Sequence, residues 1–308
     1  MTLSLEDQEA LKALELRLRT ILPEEYENPD DVQPISMGSA SLKYGRDGKV
    51  AWDDIWESFC DLAMAGGPPH KGMLLEPGSQ AEVMAQPDRY QEVVAEIRRG
   101  IKLVAELPTQ PSAIAGWVRV ECENVGMAEW LVRAIVMENV SARWEGATIH
   151  LPAGPGYLID KEIKNVITAV AKTCHYWMGH MWETQRRDIA NLFSTMSVEL
   201  PLVQPALANP DFPADAQPIV SAKMAMAIGQ ATGLRPSDHQ YLNWLGIQCP
   251  DVRSAIWMMR ALVVSNVLAR REGTVLFVPI NPESDPHGET VARYVARTHR
   301  FARARRIF

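Results

Sequence analysis

Cysteine is scarce in this chain. There are four in 308 residues (Cys60, Cys122, Cys174 and Cys249), and no two form a C-x-x-C pair. That spacing excludes a zinc-finger framework and a redox dithiol. Free thiols and the absence of a charged-then-apolar leader in TLSLEDQEALK lead us to expect a cytoplasmic protein. No apolar run approaches the roughly 18–20 residues of a membrane span, so no membrane partner is expected. A surplus of positive charge is also missing. The net charge of −7 argues against a nucleic-acid partner. The common catalytic signatures are absent: no G-x-S-x-G elbow, no H-E-x-x-H, no Walker or Rossmann glycine spacing, no EF-hand. No cofactor and no metal ligand is assigned from motifs.

What the chain does have is an internal repeat. Residues 117–152 recur without gaps at 244–279, an offset of 127 from Trp117 to Trp244. Fifteen pairs are identical, among them Trp130/Trp257, Arg133/Arg260, Asn139/Asn266, Arg143/Arg270, Glu145/Glu272 and Gly146/Gly273. Chance would give about two or three. The run 116–122 (GWVRVEC) alternates like a half-buried strand. Asn124 and Asp251 then offer N-caps for a helix over about 125–138 and its copy. Glu145-Gly146 separates two short strands as a hairpin, and a helix over 160–182, matched by 287–304, closes the unit. A weaker offset of 74 aligns Trp56 with Trp130 and Gly72 with Gly146, which adds a degenerate first copy.

These readings predict an α+β fold of three strand-helix-strand-strand-helix repeats in a pseudo-threefold arrangement, sheets inward and helices outward. The expected segments are an N-terminal helix and acidic arm (1–37), repeat 1 (38–108), repeat 2 (109–182), a proline-rich insertion with a helix (183–235) and repeat 3 (236–308). The helix Leu5–Leu22 is amphipathic, and a homodimer contact through it is one expectation.

The repeats also nominate functional residues. Copies two and three share Arg133/Arg260, Asn139/Asn266, Arg143/Arg270 and Glu145/Glu272, whereas the first copy has Phe59, Ala65, Pro69 and Lys71. Two arginines and an amide near one sheet edge could receive a carboxylate or phosphate; equally, they could be a structural network. The first copy carries instead a Gly-Gly-Pro-Pro-His-Lys loop, Gly66 to Lys71, which could aim His70 and Lys71 as catalytic groups. Lys172 aligns with Arg297, and His175 is a further candidate ligand-binding residue. In Cys174–Trp182, His175 and His180 are five apart, about 140° around an α-helix, which sets them on different faces. The arginines from Arg293 to Arg306 read as the cationic end of a helix that docks on the acidic N-terminal arm.

Three functions stay open at this point. One is an enzyme acting on a small anionic metabolite at a pocket between repeats. The second is a non-catalytic binder or carrier of such an anion, and the third is a structural or assembly protein.

Overall fold

The computed structural model describes residues 3–22, 41–57, 72–205 and 216–308. Cys60, His70, Lys71 and the Gly-Gly-Pro-Pro loop lie outside them. The chain divides into two compact units, Asp30–Asn191 and Met1–Pro29 with Leu192–Phe308. The protein is mixed helix and sheet, as expected, with two antiparallel four-stranded sheets.

The unit Asp30–Asn191 opens, in its described part, with a helical stretch at 52–57, α2 (Gln80–Ala85) and α3 (Pro87–Ala105). There follow β1 (Thr109–Pro111), β2 (Trp117–Glu121), α4 (Val125–Met137), β3 (Arg143–Glu145), β4 (Thr148–Pro152) and α5 (Lys164–His175). The helix α6 (Glu183–Glu199) leads out of it. The strand order is β1-β2-β4-β3. Val118, Val120, Ile149 and Leu151 are fully buried on one face, which α4 covers. Their alternation with Arg119, Thr148 and His150 follows from the two-residue period of a strand.

The other unit contains α1 (Leu5–Ile21), α7 (Ala216–Thr232), β5 (Arg235–Pro236), β6 (Trp244–Gln248), α8 (Val252–Val263), β7 (Arg270–Glu272), β8 (Val275–Pro279) and α9 (Glu289–Ala304). Its strand order is β5-β6-β8-β7. Each sheet has the same register: Trp117 opposes Pro152 as Trp244 opposes Pro279, and Arg143 opposes His150 as Arg270 opposes Phe277. Asn124 and Asp251 both cap their helices by accepting a backbone N–H three residues on. The hairpin glycines Gly146 and Gly273 sit at φ +59° and +55°. Glycine reaches that left-handed region without the Cβ clash that penalises other residues.

The segment 38–108, expected as repeat 1, is described at 41–57 and 72–108. Among its described residues there are only isolated bridges, Tyr44 with Val50 and Leu75 with Val140, and no sheet of its own. Leu75 adds in parallel to the turn after α4, as Val203 adds to Val267 after α8. The helix α3 packs on α5 and β1, while α7 packs on α9 and β5. Leu75 and α3 thus hold the places in one unit that Val203 and α7 hold in the other. The expected helix at 160–182 is also subdivided, because π-turns at Ile159–Ile163 and Tyr176–His180 flank α5.

The amphipathic face of α1 is used within its own unit. Leu14, Leu18, Ile21 and Leu22 are buried, and α1 packs on α8. The arginines of α9 meet α1: Arg297 and Arg300 approach Asp7 at 3.8 and 3.5 Å, and Arg305 pairs with Glu15. The acidic arm on which they were expected to dock lies outside the described residues. Trp130 is a core residue, stacked on Tyr176, while its counterpart Trp257 is only half-buried.

Candidate active site

The polar faces of the two sheets have diverged in the residues they carry. In the unit Met1–Pro29/Leu192–Phe308 the connection 237–243 lies down on the sheet at Gly246. A Cβ at Gly246 would sit 2.7 Å from the His239 carbonyl oxygen, so only glycine admits this approach. Tyr241 from that connection covers Arg270, whose guanidinium carbon is 4.5 Å from the Tyr241 ring centre and 4.1 Å from that of Phe277. Arg270 Nη1 donates to Glu272 at 2.6 Å, and Tyr241 Oη donates to the same carboxylate at 2.7 Å. The Arg270 side chain is 0% exposed. Burial pulls its proton affinity down, and Glu272 opposes this. A guanidinium so enclosed holds the loop to the sheet and presents no surface to a dissolved anion.

In the unit Asp30–Asn191 the corresponding positions carry different chemistry. Arg119 stands where the other sheet has Gly246, and His150 where it has Phe277. The connection between β1 and β2 is shorter, 112–116. Arg119 opposes His150 from one side and Arg143 opposes it from the other, so the imidazole lies in a row between two guanidinium groups. Arg119 is exposed and donates to Thr148 Oγ1 at 3.4 Å, while Arg143 is half-buried.

His150 is also the centre of a second line. Its Nε2 lies 3.3 Å from Glu145 Oε2 and its Nδ1 lies 3.5 Å from Ser112 Oγ. A carboxylate can only accept, so Glu145 selects the tautomer with hydrogen on Nε2 and leaves Nδ1 as an acceptor facing the serine hydroxyl. Ser112 Oγ in turn accepts the Ile114 backbone N–H at 3.1 Å. Burial pushes the His150 pKa below the ordinary 6.5. Glu145 resists that shift, and Arg143 and Arg119 reinforce it. The ring is therefore a neutral base at pH 7. A hydroxyl, a neutral imidazole and a carboxylate in sequence are the parts of a nucleophilic relay, which is recognised by geometry rather than by sequence order.

Most of the sequence-nominated residues lie in the framework. Arg133 is 1% exposed and donates to the Glu129 carbonyl at 2.6 Å. Burial lowers its pKa to about 10. Arg260 is buried on the matching helix. Asn139 and Asn266 adopt φ +59° and +60°, and their amides donate to the carbonyls of Gly72 (3.3 Å) and Leu200 (2.8 Å). Lys172 Nζ meets Glu138 Oε1 at 2.9 Å in the core, whereas Arg297 is half-exposed beside Asp7. The cations at these aligned positions thus have unlike surroundings. Of the nominated set, Arg143 and Glu145 come together beside the buried His150. His150, Ser112 and Arg119 were not nominated, although a signal existed: positions 150/277 and 119/246 differ between otherwise matched copies. Most of the shared polar residues lie in the framework, and the site face combines shared Arg143 and Glu145 with the differing Arg119 and His150.

The three described thiols are buried, and burial raises Cys122 and Cys249 to about 12, which leaves them unreactive. His175 and His180 are not on opposite faces. Their Nε2 atoms are 3.1 Å apart, because the intervening residues form a π-turn.

Comparison with family models, curated proteins and solved structures returns no match.

Proposed function

We propose that the polar face of the sheet β1–β4 is the active surface of a hydrolase for small anionic esters. Ser112 is the nucleophile, His150 the general base, Glu145 its orienting carboxylate, and Arg119 and Arg143 hold the anionic end of the substrate. In the first step Ser112 Oγ attacks the acyl carbon and its proton passes to His150 Nδ1. The departing alkoxide takes that proton and leaves as an alcohol. Water, deprotonated by the same imidazole, then cleaves the acyl-serine and frees the acid. The observation that carries this reading is the Ser112–His150–Glu145 line set between two arginines. The Ser112 to His150 distance is longer than the roughly 2.6–3.2 Å of a closed relay, and such contacts tighten when substrate binds.

The same face supports a second reading, a binder that does not turn its ligand over, because Glu145 is 81% exposed and is not locked in place. We also propose that the offset of 127 marks a twofold repetition in which α3 and α7 are equivalent, rather than a threefold one. The Leu75–Val140 and Val203–Val267 bridges support this.

A fluorophosphonate probe and a pair of p-nitrophenyl esters, one neutral and one bearing a carboxylate, test the proposal. The probe should label Ser112, located by peptide mass spectrometry, and Ser112→Ala and His150→Ala should abolish hydrolysis. Arg119→Ala should erase the preference for the anionic ester. Unchanged hydrolysis in Ser112→Ala sinks the catalytic reading. Stabilisation of the fold by anions without turnover favours the binder.

A further inference from the structure

The segment after α5 brings two imidazoles together in a way that its spacing conceals. In an α-helix, residues five apart diverge by about 140°. Here the helix passes into a π-turn over Tyr176–His180, closed by the Met181 N–H donating to the Tyr176 carbonyl at 3.2 Å. A five-residue hydrogen-bond step brings residues five apart closer to one face than an α-helix does, so His175 and His180 meet edge-to-face. Their Nε2 atoms end 3.1 Å apart, and the ring centres 4.9 Å apart. Each ring is also held from outside the pair. Trp56 meets His175 edge-on at 5.7 Å, and Tyr176 stacks on His180 at 5.7 Å. His175 is half-buried and His180 is exposed, so the pair lies at the surface.

We infer that His175 and His180 form a two-imidazole clamp for one divalent transition-metal ion of the zinc or nickel class. Imidazole nitrogens bind such ions at about 2.0–2.1 Å, and bond angles of about 90–110° place two of them about 2.9–3.4 Å apart. The observed 3.1 Å, at which the two rings share an N–H···N hydrogen bond, falls within that range. Among the described residues no group of three or more His, Cys, Asp or Glu is placed to hold a metal. The clamp thus supplies two of the ion's ligands. The two flanking rings act as the outer shell that fixes imidazole orientation. This site is independent of the ester-hydrolase reading and involves none of its residues.

The test is calorimetric titration of the full chain with Zn2+ and separately with Ni2+. One site per chain is expected. His175→Ala and His180→Ala should each weaken it about tenfold or more, and the double variant should remove it. His150→Ala and His239→Ala together should leave it intact. A further variant, Gly179→His combined with His180→Ala, keeps two histidines but shortens their spacing to four. The π-turn register expects this variant to lose the metal, whereas a plain α-helix would keep it. Far-ultraviolet circular dichroism checks that each variant is folded. Metal affinity that survives the double variant, or that is retained at spacing four, overturns the assignment, as does the absence of any Zn2+ or Ni2+ site in the unaltered chain.

Discussion

Lys172→Met tests the framework of the unit that carries the candidate site. Lys172 on α5 and Glu138 at the end of α4 make a 2.9 Å ion pair whose side chains are 5% and 1% exposed. Burial lowers the lysine's pKa and the glutamate opposes this. Glu138 Oε2 has no hydrogen-bond donor among the described residues, so the ammonium is the main compensation for its burial. Methionine preserves the apolar stem of lysine and deletes only the charge. Removing one partner of a buried pair costs about 3–5 kcal/mol, because the remaining charge is left desolvated. Replacing both partners with apolar groups of similar volume is close to neutral. Lys172→Met should therefore lose about that much stability, and adding Glu138→Leu should restore most of it. Hydrogen exchange suits a protein of two compact units, where one global unfolding energy is poorly defined. Amides of α4 and α5 should exchange faster by about two to three and a half powers of ten, while α8 and α9 keep their protection. A loss below about 1 kcal/mol, or a double variant no more stable than Lys172→Met, would refute the reasoning.

Three further outcomes are expected. Asn266→Gly should be more stable than Asn266→Ala by about 1 kcal/mol in urea melts, since φ is +60° and only alanine suffers the left-handed penalty; the reverse order would show that residue 266 does not keep the left-handed conformation once the asparagine is gone. Gly246→Ala should speed exchange at 237–243, because its Cβ would meet the His239 carbonyl; an unchanged loop would mean the approach is not tight. The acid limb of kcat/KM should lie below pH 6.5, because burial depresses His150. Glu145→Gln should move the limb lower and Arg119→Ala should move it higher, and a limb that moves with neither variant excludes His150 as the base. The same depression means that His150 costs stability as pH falls below 6.5 through its folded pKa, with no contribution above.

The local elements were legible in the sequence for identifiable reasons. Alternation fixed β2 at residues 117–121, against an expected 116–122, and the Asn124 cap began α4 where it was placed. Glu145-Gly146 and its copy Glu272-Gly273 form the expected hairpins. Each of these depends on interactions within a few residues, which the order of residues states directly. Arg143 and Glu145 could be nominated because they share a strand face. Other features required the tertiary structure, because they join residues distant in the chain or depend on a local geometry that spacing does not reveal. The 74-residue offset rested on Trp56, Gly72 and a matching order of expected elements, and whether a segment builds its own sheet depends on which edge its strand finds; Leu75 finds the turn at Val140. The union of Lys172 with Glu138 crosses from one helix to the next. The pairing of His175 with His180 hangs on one π-turn, a backbone choice that side-chain spacing does not encode. Above all, the sequence presented Arg143 and Arg270 as equals. Only packing distinguishes the arginine sealed beneath Tyr241 from the one beside His150, because burial is decided by what a neighbouring loop covers.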